Sequence, residues 1–316
     1  MYRLLLLPFF LLGCQKIYKD SFVSCGTLVR IVSPYKNAAK ISGEEFRRLE
    51  KIFNLYDPNS ELAQLNSTYN IPFSASFELM ECIKEAEKIY KLTGGFFDIS
   101  KARLYKFWKG VIKERKKIED FTALKETVEE LKKDSFSDIL IDETHKKITL
   151  RRKGLKLDLG GIAKGYIIDK VVERLKKEGI ESALIDVGGD IFCLGKYKNR
   201  KWRIGIRDPQ DKNKIIFAFS LTNQAVATSG GYEQYFEFKK KKYSHLINPL
   251  TGFPQDNKIL SVTVAAEKAT LADSLATAFS VMGYEKIKEF IRKHRELKIE
   301  VFLVLMEKGR EKLYHF

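Results

Sequence analysis

The sequence predicts an α+β fold, in which antiparallel or mixed sheets are flanked by helices. Predicted strands occur in consecutive groups with helices between the groups, as in the strand-rich region from Ala183 to Phe238. This order favours antiparallel neighbours over the strict strand–helix alternation of a doubly wound sheet. Leu260 to Ala265 also alternates apolar and polar residues, as a half-buried strand does.

Helices are predicted where apolar residues recur at helical spacing. Ser42 is followed three residues later by Glu45, a capping-box pattern that predicts the start of the first helix. Phe77 to Leu92 has one apolar face and is predicted to end before Gly94. Thr270 to Met282 is predicted as a late helix. These helices separate the groups of strands.

The composition indicates a globular chain, and because its basic residues are spread along the sequence, the positive charge alone does not decide the partner. The chain has 316 residues, of which 44% are hydrophobic, and 57 Lys and Arg against 41 Asp and Glu give a charge of +16. Such a balance suits a phosphate ligand or an anionic membrane surface. No nucleic-acid-binding motif is present, so we predict no nucleic-acid partner. Cys25, Cys82 and Cys193 lack the paired spacing of a zinc site or a disulfide framework.

The N-terminus is typical of an export signal. Arg3 precedes an apolar run, Leu4 to Leu12, which is too short to span a bilayer. The run ends Leu-Leu-Gly-Cys at Cys14, which resembles a bacterial lipobox and implies a lipid anchor on that cysteine. An ordinary signal peptide with a chance cysteine is the alternative. The predicted organisation is a lipoprotein signal peptide at 1–13, a tether at 14–24 and one domain at 25–316, anchored to the periplasmic face of the bacterial cell membrane.

The segment from Asp158 to Tyr166 combines a carboxylate, adjacent glycines, a lysine and a helix start. Lys156 and Leu157 are predicted to end a strand immediately before it. A helix start presents free N–H groups that suit a phosphate. The segment is not a P-loop, because Gly165 is followed by tyrosine, and its adjacent glycines do not fit the dinucleotide fingerprint. A purely structural strand-to-helix turn is the alternative.

Two further positions carry chemistry. Asp273 and Thr277 are four residues apart, so their oxygens lie on one helical face and suit magnesium rather than zinc. The structural alternative is that Thr270 is the helix N-cap and Asp273 its capping-box partner. His245 precedes a tight turn that begins at Asn248, which would hold its imidazole near a strand end.

Together these segments resemble the ApbE family, the FAD:protein FMN transferases, many of which are membrane-anchored lipoproteins. The resemblance covers essentially the whole mature chain. Any one segment is a weak signal, whereas seven segments in the family order are a strong one. The seven segments are 56–62, 95–99, 158–166, 188–191, 227–230, 244–252 and 272–277.

The resemblance implies a flavin site between two lobes and a divided metal site. It implies that magnesium binds the Gly161 carbonyl, Asp273 and Thr277. Cys25 stands where relatives often have methionine, and Asn248 replaces a common aspartate, so we assign neither a role. The residues that the resemblance places at FAD are Tyr56, Phe97, Asp98, Ile99, Asp158, Lys164 and Ile247.

The reaction that the resemblance implies is phosphoryl transfer. A threonine hydroxyl of a partner protein attacks the FMN-side phosphorus of FAD, which releases AMP and leaves FMN in a phosphoester. His245 is a plausible general base for that hydroxyl. The alternatives are hydrolysis of FAD to FMN and AMP at the same site, and a lipoprotein that only binds FAD. Retention of Asp273, Thr277 and His245 argues against simple storage, which needs no metal.

Overall fold

The structure, a computed structural model, describes residues 16–113, 121–211, 213–230, 235–238, 241–244, 246–255 and 258–316. Helices and antiparallel sheets in this part of the chain confirm the predicted α+β class. The helices are α1 (Ala38–Phe53), α2 (Glu61–Leu65), α3 (Phe77–Leu92), α4 (Ala102–Lys113), α5 (Phe121–Lys132), α6 (Ala163–Lys177), α7 (Ala269–Met282) and α8 (Tyr284–Lys293). The strands are β1 (Tyr18–Ser24), β2 (Thr27–Ser33), β3 (Phe73–Ser74), β4 (Ile139–Asp142), β5 (Lys147–Leu150), β6 (Ala183–Val187), β7 (Asp190–Leu194), β8 (Trp202–Arg207), β9 (Ile215–Leu221), β10 (Gln224–Gly230), β11 (Tyr235–Phe238), β12 (Lys241–Ser244), β13 (Ile259–Ala266), β14 (Glu300–Glu307) and β15 (Arg310–His315).

The largest sheet has the order β1-β2-β6-β7-β10-β13-β14-β15, with every neighbouring pair antiparallel. Helices α1, α6 and α7 cover one face and bury Phe46, Leu175 and Phe279 in the main hydrophobic cluster. The β8-β9 pair covers Cys193 and Val226 on the opposite face. Smaller sheets are β3-β5-β4 and β11-β12. Over the described ranges, no helix is long and apolar enough to cross a bilayer.

Three local predictions need correction. Residues Tyr18–Ser24, expected to belong to the tether 14–24, form β1 and pair with β2 along its whole length. Helix α1 begins at Ala38 rather than at Ser42, because Ala38 and Ile41 are already buried against the core. Lys156 forms only an isolated bridge with Lys101 instead of ending a strand.

The strand directions place two tight turns side by side at one end of the main sheet. The β1–β2 turn contains Cys25 and Gly26, and the β6–β7 turn contains Gly188 and Gly189. The Gly188 N–H donates to the Leu28 carbonyl at 3.2 Å, which holds the turns together. Asp190 follows directly, so this end, which we call the site end, brings its carboxylate toward α6.

Helices α6 and α7 approach most closely at Gly165. A Cβ atom at this position would lie 2.3 Å from the Ala269 carbonyl oxygen and 2.9 Å from Asp273 Cβ. These distances are far below van der Waals contact, and the first involves backbone that has little freedom to move. Gly165 is therefore required by the helix crossing that brings Asp273 to the start of α6.

We expect Gly165→Ala to lower the free energy of unfolding by about 2–3 kcal/mol, because overpacking forces backbone shifts. Gly110→Ala is the matched control, since Gly110 also lies in a helix and a Cβ there meets nothing within 4 Å. The control should be neutral or stabilising by up to about 1 kcal/mol. Urea unfolding of both variants measures the difference. Equal stabilities would contradict the proposed helix crossing.

Candidate active site

The turn that leads into α6 is fixed by Asp158. Its backbone N–H donates to the Ile99 carbonyl at 2.9 Å, and its Oδ1 accepts the Gly160 N–H at 2.8 Å. Burial raises the pKa of the Asp158 carboxyl, while the Gly160 N–H and the nearby Lys109 lower it. The predicted carboxylate–glycine turn is thus tied to the segment of Ile99, another predicted flavin position.

Asp273 of α7 caps the first turn of α6 across the helix interface. The N-cap residue of α6, Ile162, offers no side-chain cap, and Asp273 Oδ2 instead accepts the Gly165 N–H at 3.0 Å. A carboxylate at a helix N-terminus is favoured by the helix dipole. The buried Asp273 side chain is therefore held at the N-terminus of α6, next to the first N–H groups of that helix.

The alternative capping-box interpretation of α7 is wrong. Its N-cap is Lys268, and the Thr270 hydroxyl donates to Asp169 Oδ2 at 2.6 Å. The Ala269 and Thr270 N–H groups also donate to that carboxylate. Because Asp169 caps α7, Asp273 is free to serve the neighbouring helix.

Thr277 lies directly against Gly161. A Cβ atom at Gly161 would be 3.0 Å from Thr277 Cγ2 and 3.1 Å from its Oγ1, so the close approach depends on glycine. The Phe97 ring would be 3.2 Å from the same Cβ. The structure thus brings together Gly161 and Thr277, two of the three positions predicted to bind metal, with Phe97, a predicted flavin position.

The ammonium of Lys164 lies near two buried carboxylates, those of Asp190 and Asp273. Lys164 Nζ pairs with Asp190 Oδ2, and its charge also acts on Asp273. Burial first, and then repulsion from Asp190, raises the pKa of Asp273 to about 7, although Lys164 and the Gly165 N–H lower it. Burial opposes the charge of Lys164, but Asp190 and Asp273 raise its pKa above the ordinary value. The excess negative charge favours a bound cation.

The donor set fits a hard cation such as magnesium. Asp273 Oδ1 and Thr277 Oγ1 accept or donate no hydrogen bond within the described ranges, and the Gly161 main chain lies against Thr277. Carboxylate, hydroxyl and carbonyl oxygens are ligands of Mg²⁺ and Ca²⁺. The same part of the chain contains no cluster of three or more His, Cys, Asp or Glu side chains that could hold a metal ion, so a metal here would depend on the hydroxyl and main-chain oxygens as well.

An exposed tyrosine borders this centre. The Tyr56 side chain is 78% exposed, and Lys109 Nζ donates to its hydroxyl at 3.0 Å. Lys109 also lowers the pKa of Asp158, which shows that its charge acts on the glycine turn. An exposed aromatic ring can stack on a planar ligand. Tyr56 remains a predicted flavin position, whereas Lys109 was missed because one lysine in a basic helix carries no distinctive pattern.

The remaining predicted flavin positions are buried. The Asp98 carboxylate accepts the Ser100 N–H and hydroxyl at 2.9 and 2.6 Å and lies 3.6 Å from Lys101, so its side chain turns into its own loop. Burial raises the pKa of Asp98, against the effect of Ser100 and Lys101. Ile247 packs beside Trp108 in a separate small hydrophobic cluster. His245 and Cys14 lie outside the described residues.

Asp190 is the main site residue that sequence reasoning missed. It is buried, and besides Lys164 it accepts the Thr228 N–H at 3.4 Å. Its segment, Gly188 to Ile191, belongs to the seven family segments, but no spacing links it to Lys164. Its trace in the sequence is an aspartate directly after two glycines, a pattern that does not indicate Lys164 as its partner.

Helices packed on an antiparallel sheet, with Gly161, Asp273 and Thr277 meeting where α6 and α7 cross, define an α+β protein with a candidate ligand site. The profile of the ApbE family matches residues 25–303, and the chain belongs to this family. It is 33% identical over 302 residues to the FAD:protein FMN transferase of Treponema pallidum, covering 87% of this chain and 81% of the relative. It is 34% identical over 248 residues to that of Vibrio cholerae, covering 76% and 72%.

Solved structures show the same fold. The crystal structure of the ApbE protein of Thermotoga maritima matches with a TM-score of 0.82 at 31% identity, covering 94% of this chain and 96% of that one. The flavin transferase ApbE of Vibrio cholerae matches with a TM-score of 0.82 at 26% identity, covering 95% and 97%. The family and the fold are therefore those that the seven sequence segments predicted.

The raised pKa of Asp273 predicts a pH-dependent stability in the metal-free protein. Its pKa rises from 3.8 to about 7 on folding, so the folded state binds the proton more tightly. The contribution of Asp273 to the free energy of unfolding is therefore largest below about pH 4, and it decreases as the pH rises toward 7. In the presence of a chelator, the wild type should lose this contribution between about pH 5 and pH 8, whereas Asp273→Asn should not. The difference in Tm, variant minus wild type, should therefore increase over that range. A pH-independent difference would contradict the burial of this carboxylate.

Proposed function

We propose that this protein is a magnesium-dependent FAD:protein FMN transferase. The observation that carries the proposal is the meeting of Gly161, Asp273 and Thr277 beside Lys164 at the start of α6. The names of the related transferases support the same activity. The proposed reaction links FMN to a threonine of a partner protein through a phosphoester and releases AMP.

The proposed metal ligands are the Gly161 carbonyl, Asp273 and Thr277. When bound there, magnesium would neutralise charge on the pyrophosphate of FAD and help to align it for displacement. Lys164 adds a fixed positive charge at the same place, held by Asp190. The N-terminus of α6 contributes the positive end of its helix dipole, which favours an anion, although its Gly165 N–H is already donated to Asp273. These groups together would stabilise negative charge that develops during phosphoryl transfer.

The flavin ring is proposed to bind between Tyr56 and the Phe97–Ile99 segment. Tyr56 offers an exposed ring for stacking, and the Phe97 ring lies against Gly161. Asp158 is held between Gly160 and Ile99, where one oxygen remains for the flavin. The Asp98 side chain bonds within its own loop, so we propose that this position contacts FAD through its main chain.

His245 is proposed as the general base that takes the proton of the acceptor threonine. Imidazole titrates near neutrality and suits that role. If it is the base, His245→Ala should slow single-turnover FMN transfer by about 100-fold while FAD binds normally. An unchanged rate with normal FAD binding would remove this residue from the reaction.

A direct test mixes the chain with FAD and magnesium, with and without an acceptor protein that contains a candidate threonine. A transferase releases AMP chiefly when the acceptor is present. An FAD pyrophosphatase releases AMP equally in both samples, and a protein that only binds flavin releases none. Liquid chromatography of AMP and FMN distinguishes the three functions.

The proposed location is the periplasmic face of the bacterial cell membrane. Residues 1–13 would be removed as a signal peptide, and Cys14 would carry the acyl chains. The support is the lipobox-like ending at Leu-Leu-Gly-Cys. Because β1 begins at Tyr18, the linker proposed for residues 14–24 shortens to a few residues before the folded domain. Mass spectrometry of the membrane-extracted protein would detect the acylated Cys14 peptide.

A further inference from the structure

The main sheet has an end opposite the site end, and the described chain begins there. Tyr18, the first residue of β1, pairs with Ser33, the last residue of β2. The Ser33 hydroxyl donates to the Ser182 carbonyl at 2.7 Å, just before β6 begins. Helix α6 starts at the site and runs to this opposite end, where Lys177 is its last residue. We call this the N-terminal end.

The N-terminal end is strongly basic. Exposed basic side chains lie here at the start of β1, in the loop after β2, at the end of α6 and in the turn after β7. Acidic residues are also present: Glu178 is paired with Arg174, and Glu181 is exposed. The exposed basic residues are Lys16, Lys36, Lys176, Lys177, Lys196, Lys198, Arg200 and Lys201.

The turn between β7 and β8 carries four of these basic residues within six positions of the chain. Tyr197 and Arg200 exchange backbone hydrogen bonds of 3.0 and 2.9 Å, and Lys198 and Asn199 between them have φ of 47° and 61°. This geometry is that of a tight two-residue hairpin turn. The neighbouring Lys196, Arg200 and Lys201 form no ion pair with any described residue.

The start of the described chain lies beside this turn. Ile17 and Tyr197 pack against the same hydrophobic cluster, which contains Trp202. Only Gln15 separates Cys14 from Lys16, so Cys14 lies within about 7 Å of Lys16 along the chain. An acylated Cys14 would therefore place the basic end within about one Debye length of lipid headgroups.

We infer that the N-terminal end of the sheet is a docking surface for an anionic phospholipid bilayer. Basic side chains near such a surface are attracted to it, and this attraction would add to the attachment supplied by an acylated Cys14. The inference uses the proposed lipid anchor only for the position of Cys14. The charge pattern itself does not depend on the transferase reaction.

This attachment fixes the direction in which the active site faces. Strand β1 has seven residues and therefore spans about 23 Å between the N-terminal end and the site end. With the basic end on the membrane, the site end points into the aqueous compartment. The acceptor threonine would thus be met on a water-exposed part of its protein, about 20 Å or more above the headgroups.

The test uses the unacylated chain 15–316, which contains every helix and strand described and all three hydrophobic clusters. Flotation with vesicles of phosphatidylcholine, with or without about 30% phosphatidylglycerol, measures binding at low and physiological salt. We expect at least about ten-fold more binding to the anionic vesicles, decreasing with salt.

Two triple variants separate a defined surface from general basicity. Lys196→Glu, Arg200→Glu and Lys201→Glu together should reduce vesicle binding by about ten-fold or more. The matched control reverses three exposed lysines elsewhere, Lys125, Lys153 and Lys288, and should keep most of the binding. FMN transfer to a soluble acceptor should be unchanged in the first variant, which separates this test from that of the proposed function.

Three results would overturn the inference. The first is equal binding of wild type to neutral and anionic vesicles. The second is equal loss of binding in the two triple variants. The third is binding of wild type to a short DNA duplex but not to anionic vesicles, which would assign the basic end to nucleic acid.

Discussion

Asp273→Asn is expected to lower FMN transfer by more than about 100-fold without weakening the fold. An asparagine oxygen can still accept the Gly165 N–H that Asp273 Oδ2 accepts at 3.0 Å. The amide cannot supply the negative charge that a metal ligand provides. Removing a charge that Asp190 repels should also leave the metal-free protein at least as stable at about pH 8. Single-turnover transfer and thermal unfolding, measured on the same preparation, test both expectations.

The matched control is Asp169→Asn. Asp169 is half-buried and is also a carboxylate that caps a helix, since it accepts the Ala269 and Thr270 N–H groups at 2.8 and 2.9 Å. It faces α7 rather than the metal position, so its variant should lose stability but retain transfer with saturating magnesium. If Asp273→Asn kept wild-type transfer at low magnesium, the metal site would be wrongly assigned.

The second large effect is expected from Lys164→Met. This variant leaves Asp190 and Asp273 without the ammonium that now pairs with Asp190. We expect about 1–2 kcal/mol lower stability at pH 8, less than for a fully buried pair because Lys164 is partly exposed. Transfer should fall by about 100-fold, because a fixed charge at the pyrophosphate is lost. Urea unfolding and single-turnover kinetics measure the two effects.

Adding Asp190→Asn to Lys164→Met separates the effect of Lys164 on stability from its effect on phosphoryl transfer. The double variant removes the unpaired carboxylate, so stability should return toward wild type. Transfer should remain low, since nothing replaces the positive charge of Lys164. Recovery of transfer together with stability would mean that Lys164 acts only by supporting the fold.

The sequence predicted the interior of the fold better than its edges. Helix α3 matches its predicted bounds of Phe77 and Leu92, since its apolar face and terminal glycines act locally. Two of the strands that were missed, β1 and β15, are the edge strands of the main sheet. An edge strand pairs on one side only and keeps many exposed polar residues. Its sequence therefore lacks the apolar alternation that identifies a central strand.

The candidate site, too, could be predicted only in part from the sequence. The positions of Asp273 and Thr277 on one helical face follow from local spacing alone. Their partners could not be derived, because Gly161 is over one hundred positions earlier and meets Thr277 only where α6 and α7 cross at Gly165. The family resemblance supplied Gly161. Asp190, which holds Lys164, became visible only when the β6–β7 turn was placed beside α6.

The most direct test of the central claim is the intact mass of an acceptor protein after incubation with this chain, FAD and magnesium. The account predicts that the acceptor gains one FMN phosphoester and that AMP appears in equal amount. The gain should vanish when the target threonine is replaced by valine or when Asp273→Asn is used. AMP release with no change in acceptor mass, or modification that persists in Asp273→Asn without magnesium, would contradict it.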